Sequence, residues 1–218
     1  MPLDPTRIKA ICFDIDGTLA ETDDLMVEKT ARLLSVLLVT LEVRPQVIMA
    51  IETPANRLLH LLDRVGLDEW FFRLRLKIIP QRNKKKPLWK PIHGFRETLI
   101  ELAKRYPLAI ISVRDTQLTQ SFIEQNELSS LITCWATAET TRHTKPFADP
   151  IQWAAEQLGV SPSECLMVGD TTVDIQAGKN AGAQTVGVLS GFGEEKELCA
   201  AGAYEVIEDV NRLLKMLK

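Results

Sequence analysis

"ICFDIDGTLAET", Ile11 to Thr22, closes an apolar run that begins at Ile8 and delivers the chain to two carboxylates one residue apart, Asp14 and Asp16. An apolar run with no alternation is the pattern of a strand buried on both faces, as in a parallel sheet covered by helices. The same pattern recurs from Gly94 onward. Helical spacing in "GFRETLIELAKRY" leads to the run "PLAIISV"; a polar helix, Thr116 to Asn126, leads to "LITCWAT"; Pro150 to Leu158 leads to "ECLMVGD"; Val173 to Ala181 leads to "QTVGVLS". With the first run this makes at least five strands alternating with helices, an α/β fold built on a parallel sheet. In such open sheets ligands bind outside the carboxyl ends of the strands. Asp14 and Asp16 follow the first run, Ser112 the second, and Asp170 ends "LMVGD".

The alternation stops between Ala20 and about Pro91. There "DDLMVEKTARLLSVLLVTLE", "PQVIMAIETPANRLLHLLDRVG" and "DEWFFRLRLKII" read as consecutive helices, broken near Pro45 and Gly66. The expected organisation is therefore a core from residues 1–19 and 92–218, with an inserted helical domain at 20–91. Residues 71–96 carry nine Arg and Lys and no Asp or Glu. This basic run could favour a substrate with a second negative charge, or an anionic macromolecule, but a solvated hinge and helix face is the ordinary reading. Trp70, Phe71, Phe72 and Trp89 are assigned to the core of the inserted domain. His60, His93 and His143 have no metal-ligand spacing.

Composition sets the outer limits. The 218 residues are 45% hydrophobic and 25% charged, ordinary for a globular protein with a substantial core. A formal net charge of -3 argues against a generally basic nucleic-acid binder. Four scattered cysteines with no CxxC pair suggest neither a zinc site nor a disulfide framework, and a reducing cytoplasm fits. The most apolar stretch, Leu33 to Val43, is shorter than the ~20 residues a membrane-spanning helix requires, so no membrane association is expected. It could pack within the inserted domain or against a second subunit, and monomer and homodimer both stay open.

Side chains two apart on an extended chain point the same way, so Asp14 and Asp16 could address one ligand together. Carboxylates this close repel unless a cation or a shared proton relieves them, and hard oxygen ligands suit magnesium with substrate phosphate and water. Taken alone, DGT is equally good turn chemistry. The other strand ends favour the first reading. "VGDTTVDIQAG" adds Asp170 and Asp174, "RHTKPFADP" adds Lys145, and "IISVRD" adds Ser112. Acids for a metal, a lysine and a hydroxyl for anionic oxygens, and a spare carboxylate make a phosphoryl-transfer constellation.

In motif order, "DIDGT", Ser112, "KPFADP" and "GDTTVD", the chain resembles the haloacid dehalogenase (HAD) superfamily in its phosphatase branch. The insertion after the first motif resembles the helical cap of phosphoglycolate phosphatase-like and β-phosphoglucomutase-like members. The resemblance implies a Rossmann-like core and a magnesium-dependent phosphomonoester hydrolase acting on a small phosphorylated metabolite. Asp14 would be the nucleophile that forms an aspartyl-phosphate, and Asp16 the acid and then the base. Asp14, Asp16 (through its carbonyl), Asp170 and Asp174 would hold Mg2+. Lys145 and Ser112 would hold the phosphoryl group, while Gly17 and Thr18 shape the turn and its network. Val113 and Arg114 stand where many relatives carry a small residue or asparagine. Arg114 could contact substrate, although an exposed arginine opening the next helix is the ordinary reading. The second proline of "KPFADP" falls four residues after the first, later than is common. A phosphomutase would use the same residues. A non-catalytic RNA- or protein-binding member would have no need of a nucleophile and a shuttle.

Overall fold

The computed structural model of the protein describes residues 3–21 and 89–217. These belong to one compact unit, Met1–Asp23 with Leu88–Lys218. Residues 22–88 of the helical cap expected over 20–91, with the apolar stretch Leu33 to Val43, His60, Trp70 to Phe72 and all of the basic run before Trp89, lie outside the described residues.

The elements alternate as the apolar runs require: β1 (Ala10–Phe13), α1 (Phe95–Ala103), β2 (Leu108–Ile111), α2 (Thr116–Gln125), β3 (Ile132–Ala136), α3 (Asp149–Leu158), β4 (Cys165–Gly169), α4 (Thr172–Ala181), β5 (Gln184–Val188), α5 (Glu195–Ala201), β6 (Glu205–Ile207) and α6 (Leu213–Met216). Six strands form one sheet in the order β3-β2-β1-β4-β5-β6. Every pairing is parallel, and β1 sits between β2 and β4, with Cys12 opposite Ala109 on one side and Met167 on the other. The winding reverses between β1 and β4. This topological switch point opens the crevice in which a doubly wound sheet receives its ligand.

Successive β1 side chains serve opposite faces. Ile11 and Phe13 join a core with Leu99, Phe122 and Leu128, whereas Ala10 and Cys12 join one with Ile151, Ala154 and Ala177. Helix α1 follows its amphipathic spacing, burying Phe95, Thr98, Leu99 and Leu102. Helix α2 starts at Asp115, whose carboxylate accepts the Leu118 N–H at 2.8 Å. The sixth strand has no apolar run to announce it: its three residues are exposed or half-buried at the sheet edge.

The segments leading into and out of the undescribed residues lie side by side. Ala20 forms an antiparallel bridge with Pro91, the Glu21 N–H donates to the Lys90 carbonyl at 2.7 Å, and the Ile92 N–H to the Leu19 carbonyl at 3.0 Å. Trp89 corrects one sequence expectation. It packs edge-on to Phe122 of α2, ring centroids 5.1 Å apart, and so belongs to the α/β core. Among the described residues no helix is long and apolar enough to cross a membrane.

Candidate active site

Asp14 is the first residue beyond β1, tied into the sheet by its N–H to the Val168 carbonyl at 3.0 Å. Asp170 stands at the same level beyond β4, and Asp174 lies in the first turn of α4. Each of these buried carboxylates offers an oxygen within 4.8 Å of the other two. Lys145 enters from the loop between β3 and α3, where its peptide bond to Pro146 is cis. Its Nζ donates to Asp14 Oδ1 at 2.6 Å and to Asp174 Oδ1 at 2.5 Å.

Local structure explains each placement. Asp174 is the third residue of α4 and completes a capping box with Thr171, its Oδ2 accepting the Thr171 N–H at 3.1 Å and the Thr171 hydroxyl at 2.7 Å. Capping holds one oxygen and leaves the other for Lys145. Asp170 Oδ2 accepts the Phe192 N–H at 2.9 Å, while Oδ1 is buried with no hydrogen-bond partner among the described residues. Gly17 turns the chain away from Asp14 at φ +76°, and a Cβ there would fall 2.3 Å from Asp170 Oδ2. The glycine of "DIDGT" is thus needed for a positive φ and for the close approach of a second strand's carboxylate.

The electrostatics follow from three buried acids sharing one ammonium. Burial, opposed by Lys145 and reinforced by the charges of Asp174 and Asp16, pushes Asp14 up to about 7. Burial, then the negative charges of Asp174 and Asp14, drives Asp170 well above the usual carboxylate range. Burial also works against the charge on Lys145, but Asp14 and Asp174 outweigh it and hold its pKa above that of an ordinary lysine. Three carboxylates with a single lysine and an orphaned oxygen on Asp170 suit a divalent cation with oxygen ligands. The donor set fits Mg2+.

Asp16 goes elsewhere. Its side chain is not in the three-acid cluster, because Arg114 takes both oxygens, Nε to Oδ2 and Nη2 to Oδ1, each at 2.6 Å. The Asp16 carboxylate is thus held in an ion pair, while its main chain, which carries the carbonyl expected on the metal, leads into Gly17 beside the cluster. The exposed reading of Arg114 is corrected. It is buried, stands one residue before the N-cap of α2, and lies under the Trp89 ring with its guanidinium carbon 4.7 Å from the centroid. Ser112 is buried directly beyond β2, and its Oγ accepts the Arg114 N–H at 3.1 Å. Val113 is 42% exposed beside them. Thr18 is buried, its hydroxyl without a hydrogen-bond partner among the described residues. His143 lies on the Lys145 loop, its Nδ1 2.9 Å from Asp149 Oδ1 and its ring stacked on Phe147.

The loop after β5 was missed in the sequence. Gly191 backs Asp170 so closely that a Cβ would lie 2.0 Å from Oδ2, Phe192 supplies the N–H, and the Ser190 hydroxyl donates to the Gly17 carbonyl at 2.7 Å. "LSGFG" directly after an apolar run was the available signal: glycines at a strand end on the ligand side of the sheet.

A nucleophile-like carboxylate, a bridging lysine and two further acids at the switch point of a parallel sheet define a hydrolase of the phosphatase type. Comparison with known proteins agrees. The family model described as haloacid dehalogenase-like hydrolase matches residues 11–188, and the chain belongs to that family. It is 29% identical over 211 residues, 97% of each chain, to a pyrophosphatase PpaX from Anoxybacillus flavithermus. Among solved structures it is similar to a predicted phosphoglycolate phosphatase from Haemophilus somnus, with TM-score 0.66, 19% identity, and coverage of 97% of this chain and 99% of that one. It is also similar to a HAD family hydrolase from Deinococcus radiodurans with bound phosphate and sodium, with TM-score 0.64, 21% identity, and coverage of 97% and 95%. At these identities the solved structures bear on the fold.

Proposed function

We propose that the protein is a magnesium-dependent hydrolase of small phosphorylated metabolites that works through an aspartyl-phosphate on Asp14. The observation that carries this reading is the Lys145 ammonium held on Asp14 and Asp174, with Asp170 completing a buried acid cluster at the switch point.

In the first step an Asp14 oxygen attacks phosphorus. The Asp14–phosphorus bond forms, the ester P–O bond breaks, and the leaving oxygen takes a proton from the carboxylic acid form of Asp16. In the second, Asp16 as carboxylate removes a proton from water, water oxygen bonds to phosphorus, and the acyl-phosphate bond breaks to return Asp14 and release inorganic phosphate. Splitting one displacement into two requires a proton shuttle at both steps. Lys145 screens Asp14 from the incoming dianion and holds a phosphoryl oxygen; Ser112 and the backbone near Gly17 and Thr18 are further donors to that group. Asp14, Asp170 and Asp174, with the Asp16 carbonyl, would hold Mg2+, which when bound offsets the cluster's charge and polarises the phosphoryl group.

The inserted residues 20–91 are proposed as a cap that closes on the substrate and excludes water. The relative named pyrophosphatase puts inorganic pyrophosphate beside phosphoglycolate and sugar phosphates among candidate substrates. Cys12, Cys134, Cys165 and Cys199 are all free thiols, in keeping with a cytoplasmic site of action.

The test is phosphate release from a panel of phosphomonoesters and pyrophosphate, with and without Mg2+, comparing the wild type with Asp14→Asn. Magnesium-dependent release that disappears in the variant is expected. Folded wild-type protein that releases phosphate from no compound would overturn the proposal.

A further inference from the structure

The ammonium at the centre of the site is delivered by a loop, not by a strand end. Residues 137–148 join β3 to α3, a longer stretch than the about 2–6 residues usual between a strand and its helix, and Lys145 lies near the far end. A lysine carries its charge at the tip of a flexible four-carbon stem, so holding Nζ on Asp14 and Asp174 calls for a fixed main chain beneath it. Contacts on both sides of Lys145 supply that. His143 Nδ1 lies 2.9 Å from Asp149 Oδ1, on the first residue of α3, and so joins the two shoulders of the turn that carries the lysine. A carboxylate oxygen accepts, so Nδ1 is the ring nitrogen that bears the proton. Both side chains are partly shielded, at 19% and 34% exposure. The His143 ring also stacks on Phe147, centroids 4.7 Å apart. Within the turn the Phe147 N–H donates to the Thr144 carbonyl at 3.0 Å, and the Thr141 hydroxyl donates to the His143 carbonyl at 2.7 Å. From α4, the helix that supplies Asp174, Asn180 Nδ2 donates to the Pro146 carbonyl at 2.9 Å.

We propose that His143 is a positioning residue for phosphoryl transfer: with Asp149 it clasps the 143–149 turn and sets the point from which Lys145 reaches Asp14. The inference deepens the reaction proposed above and rests on it. His143 acts through the main chain of Lys145 and takes no part in bond making. A displacement of about 1 Å in a reacting group can cost about 100-fold in rate, so a slack turn lowers turnover although every charged group of the site is still present. Asn180 steadies the same turn from the other side, but it is exposed, whereas the His143–Asp149 bond is shielded and spans the lysine directly.

The test compares wild type, His143→Phe, Asp149→Ala, the double variant and His143→Asn by two readouts: amide hydrogen exchange over residues 140–148 in metal-free protein, and kcat with Mg2+ on the panel compound that the wild type turns over fastest. His143→Phe keeps a ring for Phe147 and loses the donor. His143→Asn keeps a donor near the Nδ1 position and loses the ring. Both His143→Phe and Asp149→Ala should exchange at least about tenfold faster over 140–148, with β1 and β4 unchanged. Each should lose at least about tenfold in kcat, and the double variant no more than the worse of the two, about tenfold less than the product of the separate losses. His143→Asn should stay within about threefold of the wild type, and in a Lys145→Ala background His143→Phe should change kcat by less than about twofold. A purely structural histidine would give the same loss with or without Lys145, which overturns the positioning role. So would unchanged exchange or undiminished kcat in His143→Phe, or a loss in His143→Asn as large as in His143→Phe. Wild-type protein that turns over no compound would overturn the reaction itself and this role with it, an outcome distinct from an active enzyme indifferent to these changes.

Discussion

Lys145 Nζ lies 2.6 Å from Asp14 Oδ1 and bridges it to Asp174, making this ammonium the counter-ion of the three-acid cluster among the described residues. Lys145→Ala removes the ammonium that the described structure places on two of these three buried carboxylates. Breaking a buried pair in this way costs about 3–5 kcal/mol, and losing one preorganised donor to a reacting anion costs about 100- to 1,000-fold in kcat. A metal-free thermal melt should show a clearly lower midpoint for the variant, with part of the loss recovered on adding Mg2+. An unchanged midpoint would mean that the lysine does not serve as counter-ion.

The pKa of Asp14, raised to about 7 from the 3.8 of an ordinary aspartate, makes the stability of the metal-free protein depend on pH in a definite direction. Between those values the folded protein keeps a proton that the unfolded chain has released. Stability is therefore fully present below pH ~4 and declines as pH rises through 7, with Asp170 acting in the same sense. Mg2+ binds the ionised carboxylates, so it should raise the melting midpoint more at pH 8 than at pH 5.5. Equal shifts at both pH values would contradict the assignment of the cluster as the metal site.

Asp170→Asn removes one of the three charges and keeps an oxygen for the Phe192 N–H. The metal-free variant should melt about 2–4 °C higher at pH 8, equivalent to roughly 1 kcal/mol, because repulsion is relieved. It should lose its response to Mg2+ and at least about 100-fold in kcat. A variant that still responds to Mg2+ like the wild type would remove Asp170 from the site.

Gly17→Ala adds a methyl group 2.3 Å from Asp170 Oδ2 at a backbone φ of +76°. Strain of this kind costs about 1–3 kcal/mol, and the carboxylate has to move to relieve it. The Mg2+ concentration giving half-maximal activity should rise along with the loss of thermal stability. Loss of stability with unchanged Mg2+ dependence would assign the glycine to the turn alone.

The sheet was legible because β1, β2 and β4 are apolar runs buried along their whole length that end at polar residues: Asp14, Ser112 and Asp170 stand where "ICFD", "IIS" and "VGD" put them. The three-residue edge strand Glu205–Ile207 buries too little to leave such a trace. Asp14 and Asp170 could be grouped from the ends of neighbouring strands, with Asp174 shortly after and Lys145 on the loop that follows β3, since strand ends on one side of a parallel sheet face one crevice. The partner of Asp16 could not. Arg114 lies 98 residues away, and a guanidinium just before a helix N-cap reads as solvent-facing until its burial under Trp89 is seen. Similarly, the support that Ser190, Gly191 and Phe192 give to Gly17 and Asp170 spans the distance from the first motif to the last strands, beyond any local pattern.

The most direct test of the central claim is to quench a reacting mixture, reduce it with borohydride, and map the product by mass spectrometry, since an aspartyl-phosphate is reduced to homoserine whereas a free aspartate is not. The account predicts homoserine at position 14 in the wild type turning over substrate with Mg2+, and none in Asp14→Asn. Full turnover with Asp14 unmodified, or undiminished turnover in Asp14→Asn, would contradict it.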